Sequence, residues 1–414
     1  MRAHTAIYTD NTSDKEVFAK KLLRGAAPQE LSFLHEGTGA YFSNSSLAVF
    51  LETEARYDLS GLNLKGRTLR SLSSGERKKA LLEHLLAKQP DFLILDNLFD
   101  NLDSTSREAL KDVLETRSGN LLLVQFLSRS EDLLECIKNR AFLSGDLLLG
   151  FPDYTPEVVQ IKGERFTGAL PPPPDTSPTL PEVLIDFRKV DMNYGPTPIL
   201  SQIDWKIEKG DFWELRGPNG SGKTSLITMI IGDNPKAYGQ ELYLFGNRKG
   251  SGESVWDIKA KIGYFTPALT DRFRGNHTAE AMLISGLLDS VGLYVKPTDQ
   301  QRTLALSWLA LLDLSHLAKI QFRNLSEGHQ RLLMCARAMI KHPPVLILDE
   351  PTAGLDEASA GLLISLVQKM AAESRTAILF VSHRNEPGLQ APKVMELLPG
   401  KTGSRGVIHT SLSP

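Results

Sequence analysis

The chain has 414 residues, with 47 basic side chains against 49 acidic ones, a balance that excludes a global electrostatic footprint for nucleic acid or anionic lipid. A hydrophobic share of 41% is ordinary for a globular protein, and the length has room for two domains. The two cysteines, Cys136 and Cys335, lie far apart and outside any C-x-x-C pattern, which argues against zinc or a disulfide framework and for a reducing compartment, the cytosol. The start, M-R-A-H-T-A-I-Y-T-D-N, has no apolar core of signal-peptide length, and no run approaches the roughly 20 apolar residues of a membrane span. Direct membrane insertion is therefore not expected.

In chain order, a strand-like A-I-Y at 6–8 precedes a helix-like V-F-A-K-K-L-L-R-G at 17–25. A buried helix is expected over 80–88, leading into an apolar strand at 92–95, then a charged helix over 106–116 and a second apolar strand at 121–126. From about Gly150 to Val183 the composition changes. Pro171 to Pro174, with Pro178 and Pro181, remove donors and favour extended backbone, which reads as a linker. After it, strands at 183–187 and 212–216 flank a region with turns, a helix is expected over 225–231, and a long helical stretch covers 278–312. Strands recur at 345–348 and 377–381. Strands alternating with helices argue for an α/β fold with a mostly parallel sheet and ligands at the strand ends. The expected domains are 1–150, a linker at 151–182, and 183–414.

Two stretches repeat at an offset of 253 positions: L-S-S-G-E from Leu72 with F-L-I-L-D-N ending at Asn97, and L-S-E-G-H from Leu325 with V-L-I-L-D-E ending at Glu350. In both, the aspartate lies 23 positions after the first serine, and a further seven reach Leu102-Asp103 and Leu355-Asp356. Three kept spacings argue for duplication.

Gly217-Pro218-Asn219-Gly220-Ser221-Gly222-Lys223-Thr224 fits G-x-x-x-x-G-K-[ST] directly after one expected strand and opens the helix that begins at Ser225, the context the motif requires of a P-loop NTPase. The glycines let backbone N–H groups close around phosphates at a helix N-terminus. Lys223 would neutralise β and γ oxygens of ATP, and the Thr224 hydroxyl would ligate Mg²⁺. Asp349, ending an apolar strand, would hold Mg²⁺ from outside its direct coordination sphere, and Glu350 is placed to orient or deprotonate the attacking water. His383, closing a third strand in V-S-H-R, can hydrogen-bond the γ-phosphate.

With these residues the chain resembles the ATP-binding cassette (ABC) family, strongly from Leu184 to about Leu398 and well from Leu72 to about Leu127. Within that family, Leu244 to Tyr264 looks like the tandem ATPase associated with molybdate transport. The resemblance implies two tandem nucleotide-binding cassettes and ATP hydrolysis. It places an adenine-stacking aromatic at Tyr194, 29 residues before Lys223. It implies head-to-tail pairing in which Ser73, Ser74 and Gly75 of the first half complete the ATP site of Lys223, Asp349, Glu350 and His383. One departure matters: after Ile262-Gly263-Tyr264 the chain reads Phe265-Thr266-Pro267 where most transport ATPases have a glutamine that senses Mg²⁺ and the membrane partner.

Upstream of Leu72, T-D-N-T-S-D-K-E can be set beside G-P-N-G-S-G-K-T. Thr9, Thr12 and Asp14 then stand at glycine positions, Lys15 stands with Lys223, and Glu16 replaces Thr224. The same stretch also reads as a capped surface helix. Asn97 replaces the base, and the constant offset sets Ser130 against His383. The interval from Lys15 to Leu72 is 45 residues shorter than that from Lys223 to Leu325. The first cassette is thus expected to be degenerate and reduced, with one ATP turned over per chain. The functional expectation is an ATPase in the cytoplasm, at the inner face of a membrane, energising transport through a permease on another polypeptide. The alternative is an ATPase switch acting on the ribosome or nucleic acid, or as a regulator; the short Pro-rich linker disfavours a nucleic-acid role.

Overall fold

A computed structural model describes residues 3–10, 13–57, 62, 67–100, 102–156, 166–174, 180–273, 275–384 and 386–410, with backbone alone at Tyr57, Ser104, Asp271 and Arg272. Thr12 and Pro178, invoked above, lie outside the described residues, as do 157–165 and 175–179 of the linker. The chain divides into two units, Met1–Val159 together with Gly354–Glu357, and Gln160–Ala353 together with Ala358–Pro414.

The first unit runs β1 (Thr5–Thr9), α1 (Lys15–Leu23), β2 (Gly39–Phe42), α2 (Asn44–Tyr57), α3 (Ser74–Ala87), β3 (Phe92–Asp96), α4 (Ser104–Arg117), β4 (Leu122–Leu127), β5 (Asn139–Ser144) and β6 (Leu147–Leu149). Its sheet has the order β2-β3-β4-β1-β5-β6, parallel throughout except for the terminal β5–β6 pair. A parallel sheet covered on both faces needs strands that are apolar on both sides. Accordingly Leu93 and Leu95 pack with Leu81, Leu82, Leu110 and Leu114 on one face. Phe92, Ile94 and Phe126 pack with Phe18 and Leu22 on the other. Helix α3 begins six residues before the expected start at 80. Its polar first turn hides it from periodicity, but Ser73 caps it in a reciprocal box with Glu76.

The second unit runs β7 (Val183–Tyr194), β8 (Thr197–Glu208), β9 (Phe212–Arg216), α5 (Lys223–Ile230), β10 (Leu242–Leu244), β11 (Asn247–Arg248), α6 (Val255–Lys259), β12 (Ile262–Phe265), α7 (Pro267–Arg272), α8 (Ala279–Leu287), α9 (Asp299–Leu311), α10 (Glu327–Met339), β13 (Val345–Asp349), α11 (Glu357–Glu373), β14 (Ala377–Val381), β15 (Lys393–Leu398) and β16 (Arg405–Thr410). One sheet has the order β12-β13-β14-β9-β15-β16, and a second, antiparallel, has β11-β10-β7-β8. Helix α5 is sandwiched between them. Leu226, Ile227 and Ile230 share a core with Ile347 and Leu379 of the parallel sheet and with Ile203 and Trp205 of the antiparallel one. Strand for strand, the six-stranded sheets of the two units have the same order. Among the described residues of the first unit, nothing corresponds to the antiparallel sheet.

Two expectations need correction. The region with turns after 187 is mostly a long β7–β8 hairpin whose register shifts at several bulges, and those shifts break the two-residue alternation that would have revealed it. The helical stretch expected over 278–312 is two helices, α8 and α9. Asp289 and Gly292 adopt positive φ between them, and Thr298 starts the second with its own capping box. The proline stretch is anchored rather than free of contacts. The Leu170 N–H donates to the Glu373 carboxylate at 2.8 Å, and His342 Nε2 lies 2.7 Å from the Pro171 carbonyl oxygen.

Helix α8 crosses α10 at Gly286, where an added Cβ would lie 2.2 Å from the Arg337 carbonyl oxygen. The Arg337 side chain stitches the same contact, donating to Ser285 Oγ at 2.9 Å and to the Ser290 carbonyl at 2.8 Å. The substitution Gly286→Ala is therefore expected to force the helices apart and destabilise the protein by about 1–3 kcal/mol, the scale of core overpacking, read as a lowered Tm in thermal unfolding. An unchanged Tm would show that this crossing is not tightly packed.

Candidate nucleotide site

The loop from Gly217 to Gly222 connects β9 to α5 and needs glycine at two of its positions. Gly217 has φ +148°, and a Cβ there would meet Ser221 Oγ at 2.7 Å and the Leu397 carbonyl at 2.9 Å. Gly222 caps α5 with φ +98° in the left-handed region, and its Cβ would lie 2.6 Å from Leu200 Cδ2. The loop closes around Lys223, whose Nζ donates to the Gly217 carbonyl at 2.6 Å and the Pro218 carbonyl at 3.1 Å. Asn219 and Gly220 stay exposed, Thr224 is exposed in the first turn of α5, and Ser225 is half-buried beside it.

Strands β13 and β14 pair so that Asp349 is level with Val381. The chain then turns sharply, and Glu350 takes φ +49°, an uncommon conformation for a non-glycine residue. Its N–H donates to the Val381 carbonyl at 2.9 Å, so the strand register itself holds the strained residue. His383, two positions past the end of β14, meets Glu350 Oε2 through Nδ1 at 2.7 Å. With the carboxylate as acceptor, Nδ1 carries the proton. Each of these side chains was expected to act on ligand or water separately, and the structure adds a direct bond between them.

Burial pushes the Asp349 carboxyl up to about 6, helped by the neighbouring Glu350 charge and opposed by Lys223. Two buried polar atoms nearby have no hydrogen-bond partner, Ser221 Oγ in the loop and His383 Nε2. Orphaned polar atoms, a buried cation and a glycine cradle fit a polyphosphate. A carboxyl held up by burial and like charge fits a site that gains a divalent cation. On these observations the residues present suit ATP and Mg²⁺.

Tyr194 ends β7, with its ring half-exposed and its hydroxyl 3.4 Å from Asn234 Nδ2. The hairpin it belongs to is the one whose Ile199 and Leu200 pack on Gly222. Ser73, Ser74 and Gly75 occupy the start of α3 in the first unit. There Ser73 Oγ accepts from the Glu76 N–H at 3.2 Å, and a Cβ on Gly75 would lie 2.4 Å from Ser106 Oγ. Ser326 caps α10 in the same way, accepting from the His329 N–H at 3.3 Å.

The first unit has the same local scaffold with other side chains. Helix α1 starts at Lys15 as α5 starts at Lys223. Asn97 takes φ +44° and donates its N–H to the Phe126 carbonyl at 3.1 Å, as Glu350 does to Val381. Here, however, Lys15 Nζ is paired with Asp96 at 3.0 Å, and the Tyr41 hydroxyl donates to the other oxygen of that carboxylate at 3.0 Å. Asn97 Nδ2 donates to Ser128 Oγ at 3.0 Å. The counterpart of His383 is therefore Ser128 and not Ser130. Asp96 is level with Phe126 and Asp349 with Val381, so the connection is two residues shorter in the first unit and the constant offset fails there. Tyr41 and Ser128 were not singled out from sequence; counting from strand ends instead of by a fixed offset would have found Ser128.

Residues 200–353 match the family described as ABC transporter. The chain is 36% identical over 337 residues to the ABC transporter ATP-binding protein ModF of Escherichia coli (strain K12), an alignment covering 78% of this chain and 69% of that protein. It is 28% identical over 367 residues to an uncharacterized ABC transporter ATP-binding protein of Schizosaccharomyces pombe, covering 83% of this chain and 72% of that one. It is also 26% identical over 186 residues to the molybdate import ATP-binding protein MolC of Haemophilus influenzae, covering 45% of this chain and 67% of that one.

The raised Asp349 carboxyl gives a pH expectation whose sign follows from linkage. Its folded value of about 6 exceeds the ordinary 3.8, so the folded state holds the proton longer, and stability is lost as pH rises between those values. The variant Asp349→Asn, free of that cost, should be more stable than the parent above pH 6 by about 1–3 kcal/mol without nucleotide. It should also lose Mg²⁺-dependent ATP binding. Thermal unfolding against pH checks the first effect and nucleotide titration with and without Mg²⁺ the second.

Proposed function

The chain belongs to the family of ABC transporter ATP-binding proteins, ATPases that work with ATP and Mg²⁺, and from that premise we propose that it energises import through a permease on another polypeptide, with one working ATP site per chain. The observation that carries the catalytic part is the Glu350–His383 bond, made beside a P-loop lysine and a magnesium-type aspartate. Lys223, the loop from Gly217 to Gly222 and Ser225 hold the phosphates, and Tyr194 stacks on the adenine. Thr224 and Asp349 hold Mg²⁺, which when bound screens the phosphate charge. Glu350 takes the proton of the attacking water, and His383, braced through Nδ1, donates from Nε2 to the γ-phosphate in its doubly protonated form, the only form with a donor on each ring nitrogen.

The cargo class we propose is a molybdate-like oxyanion. Support comes from the resemblance at Leu244 to Tyr264 and from a relative that carries molybdate import in its name. Among the described residues no helix is long and apolar enough to cross a membrane, which suits a membrane partner on a separate chain. We place the protein in the cytoplasm, at the inner face of that membrane.

Lys223→Ala is expected to abolish ATP binding. Glu350→Gln should bind ATP, saturating near one nucleotide per chain, and lose turnover by about 10²- to 10⁴-fold, the range of general-base effects; full activity would sink the assignment. Tyr194→Ala should weaken ATP binding by about 1–3 kcal/mol, the scale of aromatic–base stacking, with turnover at saturation unchanged. Affinity purification of Glu350→Gln with ATP should recover a multi-span membrane protein. Recovery of ribosomes instead would replace transport with the switch reading.

A further inference from the structure

The pair Glu350–His383 is carried on two loops, one leaving β13 and one leaving β14, and neither loop is regular structure. After Glu350 the chain makes one tight turn, in which the Ala353 N–H donates to the Glu350 carbonyl at 3.3 Å. Thr352 lies inside that turn and is almost fully buried. On the other loop Glu386, three residues past His383, is also almost fully buried, an unusual place for a carboxylate without a specific task. The two side chains meet. Thr352 Oγ1 donates to Glu386 Oε1, and the same oxygen lies 3.5 Å from Ser382 Oγ, beside His383. Ser382 Oγ in turn accepts the Arg384 N–H at 3.0 Å.

We infer that Glu386 is a positioning residue for ATP hydrolysis, a clasp that binds the turn after Glu350 to the loop carrying His383 and so fixes the distance between base and histidine. The connections form a closed ring. Glu350 is tied to Val381 through its backbone and to His383 through its side chain, and the clasp links the outer ends of the same two loops. A loop fixed at one point can swing, whereas one fixed at both ends cannot. Reacting groups held within a fraction of an ångström retain the advantage of orientation, and a misplacement of about 1 Å costs on the order of 10²-fold in rate.

The first unit supplies an internal comparison. Counted from the level pairs Asp349–Val381 and Asp96–Phe126, Phe99 stands at the position of Thr352 and Glu131 at that of Glu386. Phe99 is buried and has no hydroxyl, and Glu131 is half-exposed, 3.9 Å from Arg107. The hydroxyl half of the clasp is missing from the unit that carries Asn97 and Ser128 in place of the base and the histidine. The shared fold therefore does not require it.

This inference rests on the proposed roles of Glu350 and His383. It is tested by steady-state ATPase kinetics, nucleotide titration and thermal unfolding of the full chain carrying Glu386→Ala, Glu386→Gln, Thr352→Val or Thr352→Ser. Glu386→Ala and Thr352→Val are expected to lower kcat on the order of 10²-fold while ATP affinity stays as in the parent. Glu386→Gln and Thr352→Ser, which keep an oxygen acceptor and a hydroxyl donor, should recover most of the turnover. An unchanged kcat in both disruptive variants overturns the clasp. So does a fall in kcat matched by an equal loss of ATP binding, or by a lowered Tm without rescue, since either outcome assigns a folding role only. Should Glu386→Ala fail to fold, the Thr352 pair decides alone. Full turnover in Glu350→Gln would sink the base assignment and the clasp with it. Loss in Glu350→Gln beside parental turnover in Glu386→Ala and Thr352→Val would overturn the clasp alone.

Discussion

The backbone bond from Glu350 to Val381 is the constraint on which the catalytic edge depends. A parallel ladder sets Asp349 level with Val381, and the next residue can keep the ladder going only by turning into positive φ. That single strained residue directs one carboxylate toward the phosphate loop and places the next within reach of an imidazole from the neighbouring strand. The cost of the conformation, on the order of 1–3 kcal/mol, is carried by strands whose apolar residues are buried on both faces. A fully wrapped sheet is therefore what allows an unfavourable turn to persist where chemistry needs it.

The same constraint operates in the first unit, where Asn97 turns with nearly the same φ and makes the same backbone bond. Backbone and side chain have thus diverged independently. The scaffold survives because the register and the core demand it. The side chains that would process a phosphate are replaced by ones that satisfy each other: lysine with aspartate, amide with serine.

This separation explains what could be read from sequence. The strands of both parallel sheets were legible because a doubly covered strand is a short apolar run bounded by polar residues, as at Phe92 and Val345. The glycine loop was legible because positive φ and close approach admit no other residue at Gly222. The β7–β8 hairpin was not, since its bulges scramble the alternation. Contacts such as Tyr41 with Asp96, or Thr352 with Glu386, join residues 55 and 34 positions apart. They arise only when two strand ends are brought level, and no local pattern announces them. The fixed offset misplaced Ser128 for a related reason: loop lengths drift while strand ends do not.

The Lys15–Asp96 ion pair has a thermodynamic consequence. A lysine beside an aspartate at 3.0 Å behaves as a ligand already bound, at an effective concentration no solution can dilute. Lysine, carboxylate and the Tyr41 hydroxyl satisfy one another there without a phosphate. The second unit is in the opposite position, with a partly buried carboxyl at Asp349 that desolvation and a like charge work against until a cation arrives. By mass action, a ligand at a hundred times its dissociation constant adds about 2.7 kcal/mol to the stability of the state that binds it. By that linkage the unit carrying Asp349 is expected to gain resistance to unfolding and proteolysis as the supply of MgATP rises.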